Sequence, residues 1–131
     1  MEQRPARTAG IGKTLKFKRR YLDKILEGEK RSTIRLGRVV VRGRLITIVG
    51  DGRPIALARI DEVIYKKVKD LTDEDARLDG FKGLAELFRE LRKIYGDFTL
   101  EDDITILRFT LVRRLDEGPG ASGRSWRLDK R

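Results

Sequence analysis

Three runs rich in β-branched residues follow one another between residues 39 and 68, and nothing between them is long enough to be a helix. "VVVRGRLITIV", 39–49, breaks at Gly43, and "GDGR", 50–53, is a strong hairpin signal ahead of "PIALARIDEVIYKKV", 54–68. Strands joined this way need no crossover, so several antiparallel strands of a curved sheet or barrel are expected. A doubly wound sheet does not fit, because it requires helices between successive strands.

The flanking segments supply the helices. "TLKFK", 14–18, alternates like a half-buried strand. "RRYLDKILEGE", 19–29, changes period, with Tyr21, Leu22, Ile25 and Leu26 on one helical face and Gly28 as a stop. "RSTIR", 31–35, returns to strand character before Gly37. "LTDEDARLDG", 71–80, reads as a short helix capped by Thr72, with acids in its first turn. "GLAELFRELRKIYG", 83–96, is the clearest helix, with Leu84, Leu87, Phe88, Leu91 and Tyr95 in an apolar stripe that ends at Gly96. "DITILRFTLVR", 103–113, is a last strand. The order β-α-β-β-β-α-α-β argues for one α+β domain, a mixed β-barrel over residues 13–114 with a helix after its first strand and two helices before its last. Residues 1–12 read as a flexible tail. So do residues 115–131, which contain "GPGASG", end basic and carry Trp126.

Composition restricts the chemistry. Histidine and cysteine are absent. That removes disulfides, thiol chemistry, imidazole bases and the usual zinc ligands, and no metal or cofactor is expected. No apolar run approaches the length of a membrane span, and the N-terminal residues lack the apolar core of a signal peptide, so a cytoplasmic location is expected. Charged residues make up 40% of the chain, asparagine does not occur and Gln3 is the lone glutamine, a thermophile-like composition. "GIGKT", 10–14, matches the end of a phosphate-binding loop, but Arg7 stands where that motif needs glycine. The net charge is +10 and is unevenly placed. Residues 13–44 carry 12 lysines and arginines against 3 acids, whereas residues 45–131 carry 17 of each. Such segregation is the electrostatic footprint of a polyanion binder.

The basic third contains "LKFKRRYLDKILEGEKRSTIR". This stretch resembles the opening of the ASCH family, in which a strand and helix lead into a Gly-x-Lys-x-x-Thr-x-Arg segment. Gly28, Lys30, Thr33 and Arg35 match that segment. "LTDEDARLDGF", the helix ending in "IYG" and the closing "ITILRFTLV" also resemble the family in order and spacing. The resemblance implies a PUA-like β-barrel with a cleft beside the first helix, and RNA as the partner. It also implies a second activity. Some small members resemble amidohydrolases acting on N4-acetylcytidine through a lysine, a threonine and an acid. Lys30 and Thr33 match the first two, and Asp79 falls where the acid is glutamate, one methylene longer.

The residues leave several roles open. Lys30 suits a general base or activator of Thr33 if burial lowers its pKa, an anion-holding point charge, or a solvated lysine after a helix. Thr33 is a nucleophile, a hydrogen-bond donor or a plain β-branched strand residue. Arg35 offers a planar fork for phosphate or carboxylate, or an internal ion pair to Asp79. Asp79 before Gly80 is turn or cap chemistry, or the site acid. In strict alternation Arg31, Thr33 and Arg35 share one face of their strand, and Lys30 joins them only where the strand starts after it or bends. Lys16, Lys18, Arg19 and Arg20, beside Arg31, Arg38, Arg42 and Arg44, form a candidate surface for a nucleic-acid backbone. The expected function is RNA binding at a basic cleft around Lys30, Thr33 and Arg35. A metal-independent amidohydrolase acting on a modified nucleoside through Lys30, Thr33 and Asp79 is the alternative. A protein-interaction module in a transcription or translation complex is a weaker third, and the oligomeric state is left open.

Overall fold

The structure, a computed structural model, describes residues 8–11 and 14–116. Strands β1 (Thr8–Ile11) and β2 (Thr14–Phe17) precede helix α1 (Arg19–Leu26). Then come β3 (Ser32–Leu36), β4 (Arg38–Val41), β5 (Leu45–Gly50) and the long β6 (Arg53–Lys67). A single 3-10 turn (Val68–Asp70), α2 (Asp73–Leu78), α3 (Leu84–Tyr95) and β7 (Asp103–Arg114) complete the chain.

Five strands form one curled sheet in the order β2-β5-β6-β7-β3, and β1 and β4 form a separate parallel pair. The sheet is a half-barrel. β2 and β3 are its two edges and do not pair with each other, so the expected mixed β-barrel takes the form of a half-barrel. β5–β6 is the antiparallel hairpin expected from "GDGR", β6–β7 and β7–β3 are also antiparallel, and β2–β5 is parallel. The connection permits this exception: α1, β3 and β4 lie between β2 and β5, so no hairpin forces them antiparallel. Two register shifts, at Leu57/Ala58 and Ile60/Glu62, let the 15-residue β6 bend with the curl.

Two further expectations change. Thr8–Ile11 lies inside the segment read as a tail, yet it is a strand against Arg38–Val41. Its partner is about thirty residues away, so the local pattern carries no sign of it. Because β1 comes first, α1 follows the second strand. The expected C-terminal tail, with its "GPGASG" and Trp126, lies outside the described residues beyond Asp116.

The sheet is buried on both faces where β7 crosses it. Leu107 and Phe109 pack with Leu15, Phe17, Ile25, Ile46, Ile48 and Ile60 beneath α1. Ile104 and Ile106 face the other way, onto Ile34, Leu36, Ala76, Leu87 and Leu91 under α2 and α3. This explains why "ITILRF" is a nearly continuous apolar run rather than an alternating one. Leu107→Ala should therefore cost about 2–5 kcal/mol of stability. Leu100→Ala, at a position 57% exposed, should stay within about 0.5 kcal/mol. Urea unfolding of both variants checks the contrast, and equal losses would contradict this assignment of the core.

Candidate functional site

The opposed edges β2 and β3 leave a gap, and α3 covers one side of it. Lys16, Phe17 and Lys18 from the β2 side, Tyr21 from α1, Thr33, Ile34 and Arg35 from β3, and Leu87, Glu90, Leu91, Ile94 and Tyr95 from α3 line a cavity of about 150 Å³ there. Lys30, Asp79 and Phe81 form its floor.

Lys30 reaches this cavity because the chain doubles back after α1. Gly28 adopts φ +83°, a left-handed conformation that favours glycine, and the amides of Glu29 and Lys30 both donate to the carbonyl of Lys24. β3 starts only at Ser32, so Lys30 precedes the strand and escapes its alternation. The side chain is 4% exposed. Its Nζ donates to Ser32 O at 2.9 Å, to Asp79 O at 3.1 Å and to the Asp79 carboxylate, which engages all three ammonium hydrogens. The rings of Tyr21, Phe17 and Phe81 surround it, with centroids 5.2, 5.6 and 6.0 Å from Nζ.

Asp79 is the C-terminal cap of α2, whose other end is closed by reciprocal hydrogen bonds between Thr72 and Asp75. It is both cap and buried acid, 4% exposed. Burial raises its carboxyl to about pH 6, while Lys30 pulls in the opposite direction. Burial likewise lowers the pKa of Lys30, opposed by Asp79. Gly80, at φ +92°, is where this ion pair meets the chain: a Cβ there would lie 3.3 Å from the Lys30 Cβ.

Thr33 and Arg35 share a face, as alternation predicts. Arg35 does not pair with Asp79. Its Nε donates to Thr33 Oγ1 at 3.2 Å, and its Nη2 reaches across the gap to Lys16 O on β2 at 3.3 Å. Its guanidinium carbon sits 5.5 Å from the Phe17 ring centroid. One arginine thus bridges the two sheet edges.

The other cations divide between surfaces. Lys16 and Lys18 stand at the pocket, and Arg20 borders it through an ion pair with Glu90. Arg19 pairs instead with Asp51 at 2.9 Å, in a separate groove. Arg38 lies over the Tyr65 ring at 4.0 Å, and Arg42 and Arg44 sit exposed around the Gly43 turn. Arg31 is exposed, and its main chain bonds Leu78 and Phe109. Of the candidate surface for a nucleic-acid backbone, Lys16, Lys18 and Arg35 line this pocket, and Arg19, Arg31, Arg38, Arg42 and Arg44 are not among its lining residues. Residues 13–44 pass through three strands and a helix, so closeness in sequence does not bring every cation of the segment to this pocket.

Glu90 is the pocket residue the sequence reading missed. It is 9% exposed and accepts hydrogen bonds from Tyr21 Oη and Arg20 Nη2. Burial alone would raise its pKa, but these two donors hold it below the usual range. Its signal was present: Leu87, Leu91 and Ile94 flank it at helical spacing, and a carboxylate on an apolar stripe is out of place. Among the described residues no group of three or more potential metal ligands occurs, and no helix is long and apolar enough to cross a membrane.

The chain belongs to the ASCH domain family, whose model matches residues 9–113. A crystal structure of an ASCH domain from Lactobacillus crispatus superimposes with a TM-score of 0.58 at 21% identity, covering 81% of this chain and 80% of that one. A crystal structure of an Enterococcus faecalis protein gives 0.57 at 18% identity, covering 72% and 68%. These likenesses concern the fold. No curated protein matches the sequence.

The buried pair generates a pH-dependent prediction. Lys30→Met leaves Asp79 buried without its partner, which should cost about 3–5 kcal/mol at neutral pH. Asp79 already has a folded pKa above its unfolded one, so its contribution is greatest below about pH 4 and is lost as pH rises toward 6. Removing Lys30 raises the folded pKa further and extends that loss to higher pH. The variant's deficit relative to wild type should be larger at pH 8 than at pH 5 in urea unfolding. A deficit that is larger at pH 5 would reject the assignment.

Proposed function

We propose that this domain binds single-stranded RNA and takes one unpaired base into the pocket between β2, β3 and α3. The observation that carries the reading is surplus positive charge at an aromatic-walled cavity. Asp79 is neutralised by Lys30 and Glu90 by Arg20. Lys16, Lys18 and Arg35 line the same cavity and form no ion pair with a described carboxylate. Cations of this kind hold phosphates, while Phe17, Tyr21 and Phe81 supply π-faces and apolar walls. Membership in a family whose domains are generally RNA-binding-like supports the same reading.

Affinity for an unstructured RNA oligonucleotide should fall with salt, with a log–log slope of roughly −0.7 per phosphate contacted. The exposed pair Lys16→Glu with Lys18→Glu should weaken binding and flatten that slope. Arg114→Ala should change it little, because Arg114 lies at the far end of β7 beside Asp116. Fluorescence anisotropy across a salt series measures both effects. Absent or salt-indifferent binding would favour the protein-interaction module instead.

A second reading, amide hydrolysis on a modified nucleoside such as N4-acetylcytidine, is favoured by one observation: Lys30, Thr33 and Asp79 line one pocket. Against it, the ammonium hydrogens of Lys30 are all engaged, and Thr33 already accepts from Arg35. The expected result is slow or undetectable acetate release from N4-acetylcytidine without added metal. Asp79→Glu should raise any rate that is limited by reach. Brisk turnover, lost by about 10²–10⁴-fold in folded Lys30→Ala and Thr33→Ala proteins, would make the enzyme the primary reading.

A further inference from the structure

We propose that the groove between α1 and the β5–β6 hairpin seats this chain's own C-terminal segment, with Trp126 as the anchor. The inference is independent of RNA binding. The groove measures about 970 Å³. Leu22, Asp23 and Leu26 of α1 line one side, and Pro54, Ile55 and Leu115 line the other. Leu22 and Leu26 are half-buried, packing on the core with one side and facing the groove with the other. The volume lies at the upper end of the roughly 300–1,000 Å³ that holds a drug-sized ligand, so an indole and a neighbouring side chain fit.

The path of the chain points to the occupant. β7 ends at Arg114, and the Leu115 amide donates to the Ile55 carbonyl at 2.8 Å. Leu115 and Asp116 are themselves lining residues, so the described chain ends at the groove. Fifteen residues follow, and Trp126, the single tryptophan of the protein, is ten positions beyond Asp116. Ten residues reach at most about 35 Å, far more than the one helical turn between Leu22 and Leu26. A tether this short raises the effective concentration of the segment to the order of millimolar. In "SWRLD", 125–129, Trp126 and Leu128 are two apart, so an extended segment presents both to one surface and turns Arg127 and Asp129 away from it. Seating the indole removes roughly 150–250 Å² from water.

Charge separates the two cavities. The pocket between β2 and β3 carries surplus cations, which repel the Arg124 and Arg127 that flank Trp126. The groove is balanced, with Arg19, Arg53 and Arg114 against Asp23, Asp51 and Asp116. Arg19 is taken by Asp51 and Arg114 by Asp116, whereas no described cation pairs with Asp23. That carboxylate is left for Arg124 or Arg127 at the rim.

Tryptophan fluorescence tests the proposal in the full chain, because the signal comes from Trp126 alone. Its emission should be blue-shifted, and its acrylamide quenching constant several-fold lower, relative to the same protein in urea. Cysteine is absent, so one introduced thiol can be labelled without background. A nitroxide on Asp23→Cys should quench Trp126, and the same label on Leu100→Cys, beyond the opposite end of β7, should not. Both positions are exposed, so neither substitution removes core packing. Native emission and acrylamide quenching equal to those in urea overturn the proposal, and so does equal quenching by the two labels. Label-dependent quenching that disappears on dilution overturns the intramolecular seating and gives the groove to a second copy.

Discussion

The buried ion pair between Lys30 and Asp79 is the interaction on which the site depends. Lys30 follows α1, Asp79 ends α2, and the carbonyl that completes the ammonium's coordination belongs to Ser32 at the start of β3. One charged group therefore ties two helices to an edge strand. Removing two charges from water is expensive, and the mutual attraction offsets that cost only when the remaining hydrogens are also satisfied. Two main-chain carbonyls do this, and three aromatic rings exclude water. A shift of α2 relative to β3 would leave a charge buried alone, so the pair favours one arrangement of these elements over its neighbours.

The pocket exists because the sheet stops short of closing. In a closed barrel β2 and β3 would satisfy each other's main chains, and no cavity would remain. Here the Arg35 side chain spans the seam by donating to Lys16 O, and Glu90 holds the opposite wall through Arg20 and Tyr21. The same residues that support the open edge also line the pocket or border it. This is why positions such as Arg35 cannot be read as purely structural or purely functional, and why the exposed Lys16 and Lys18 are the cleaner probes of binding.

The electrostatics of the basic segment also depend on the fold. The surplus between residues 13 and 44 is large, but part of it is neutralised locally or turned elsewhere. Arg19 meets Asp51, Arg20 meets Glu90, and Arg38 rests on Tyr65. What remains at the pocket is a small set of cations beside π-faces. Under the proposed RNA-binding reading, that arrangement suits a short contact with one nucleotide and its neighbouring phosphates rather than an extended backbone track.

Local sequence determined every element whose cause is local. Thr72 and its first-turn acids marked α2, the stripe from Leu84 to Tyr95 marked α3, and "GDGR" marked the β5–β6 hairpin. The Gly-x-Lys-x-x-Thr-x-Arg spacing also singled out Lys30, Thr33 and Arg35. Tertiary structure alone decided the rest. Thr8–Ile11 is a strand because Arg38–Val41 lies beside it, and the parallel pairing of β2 with β5 is set by long-range packing rather than by a turn. Asp79 became the partner of Lys30, and Glu90 a wall of the pocket, through contacts 49 and about 70 residues apart. A periodic pattern reports which face of an element is buried. It holds no record of which distant face will be packed against it, and a binding pocket is made of such distant pairings.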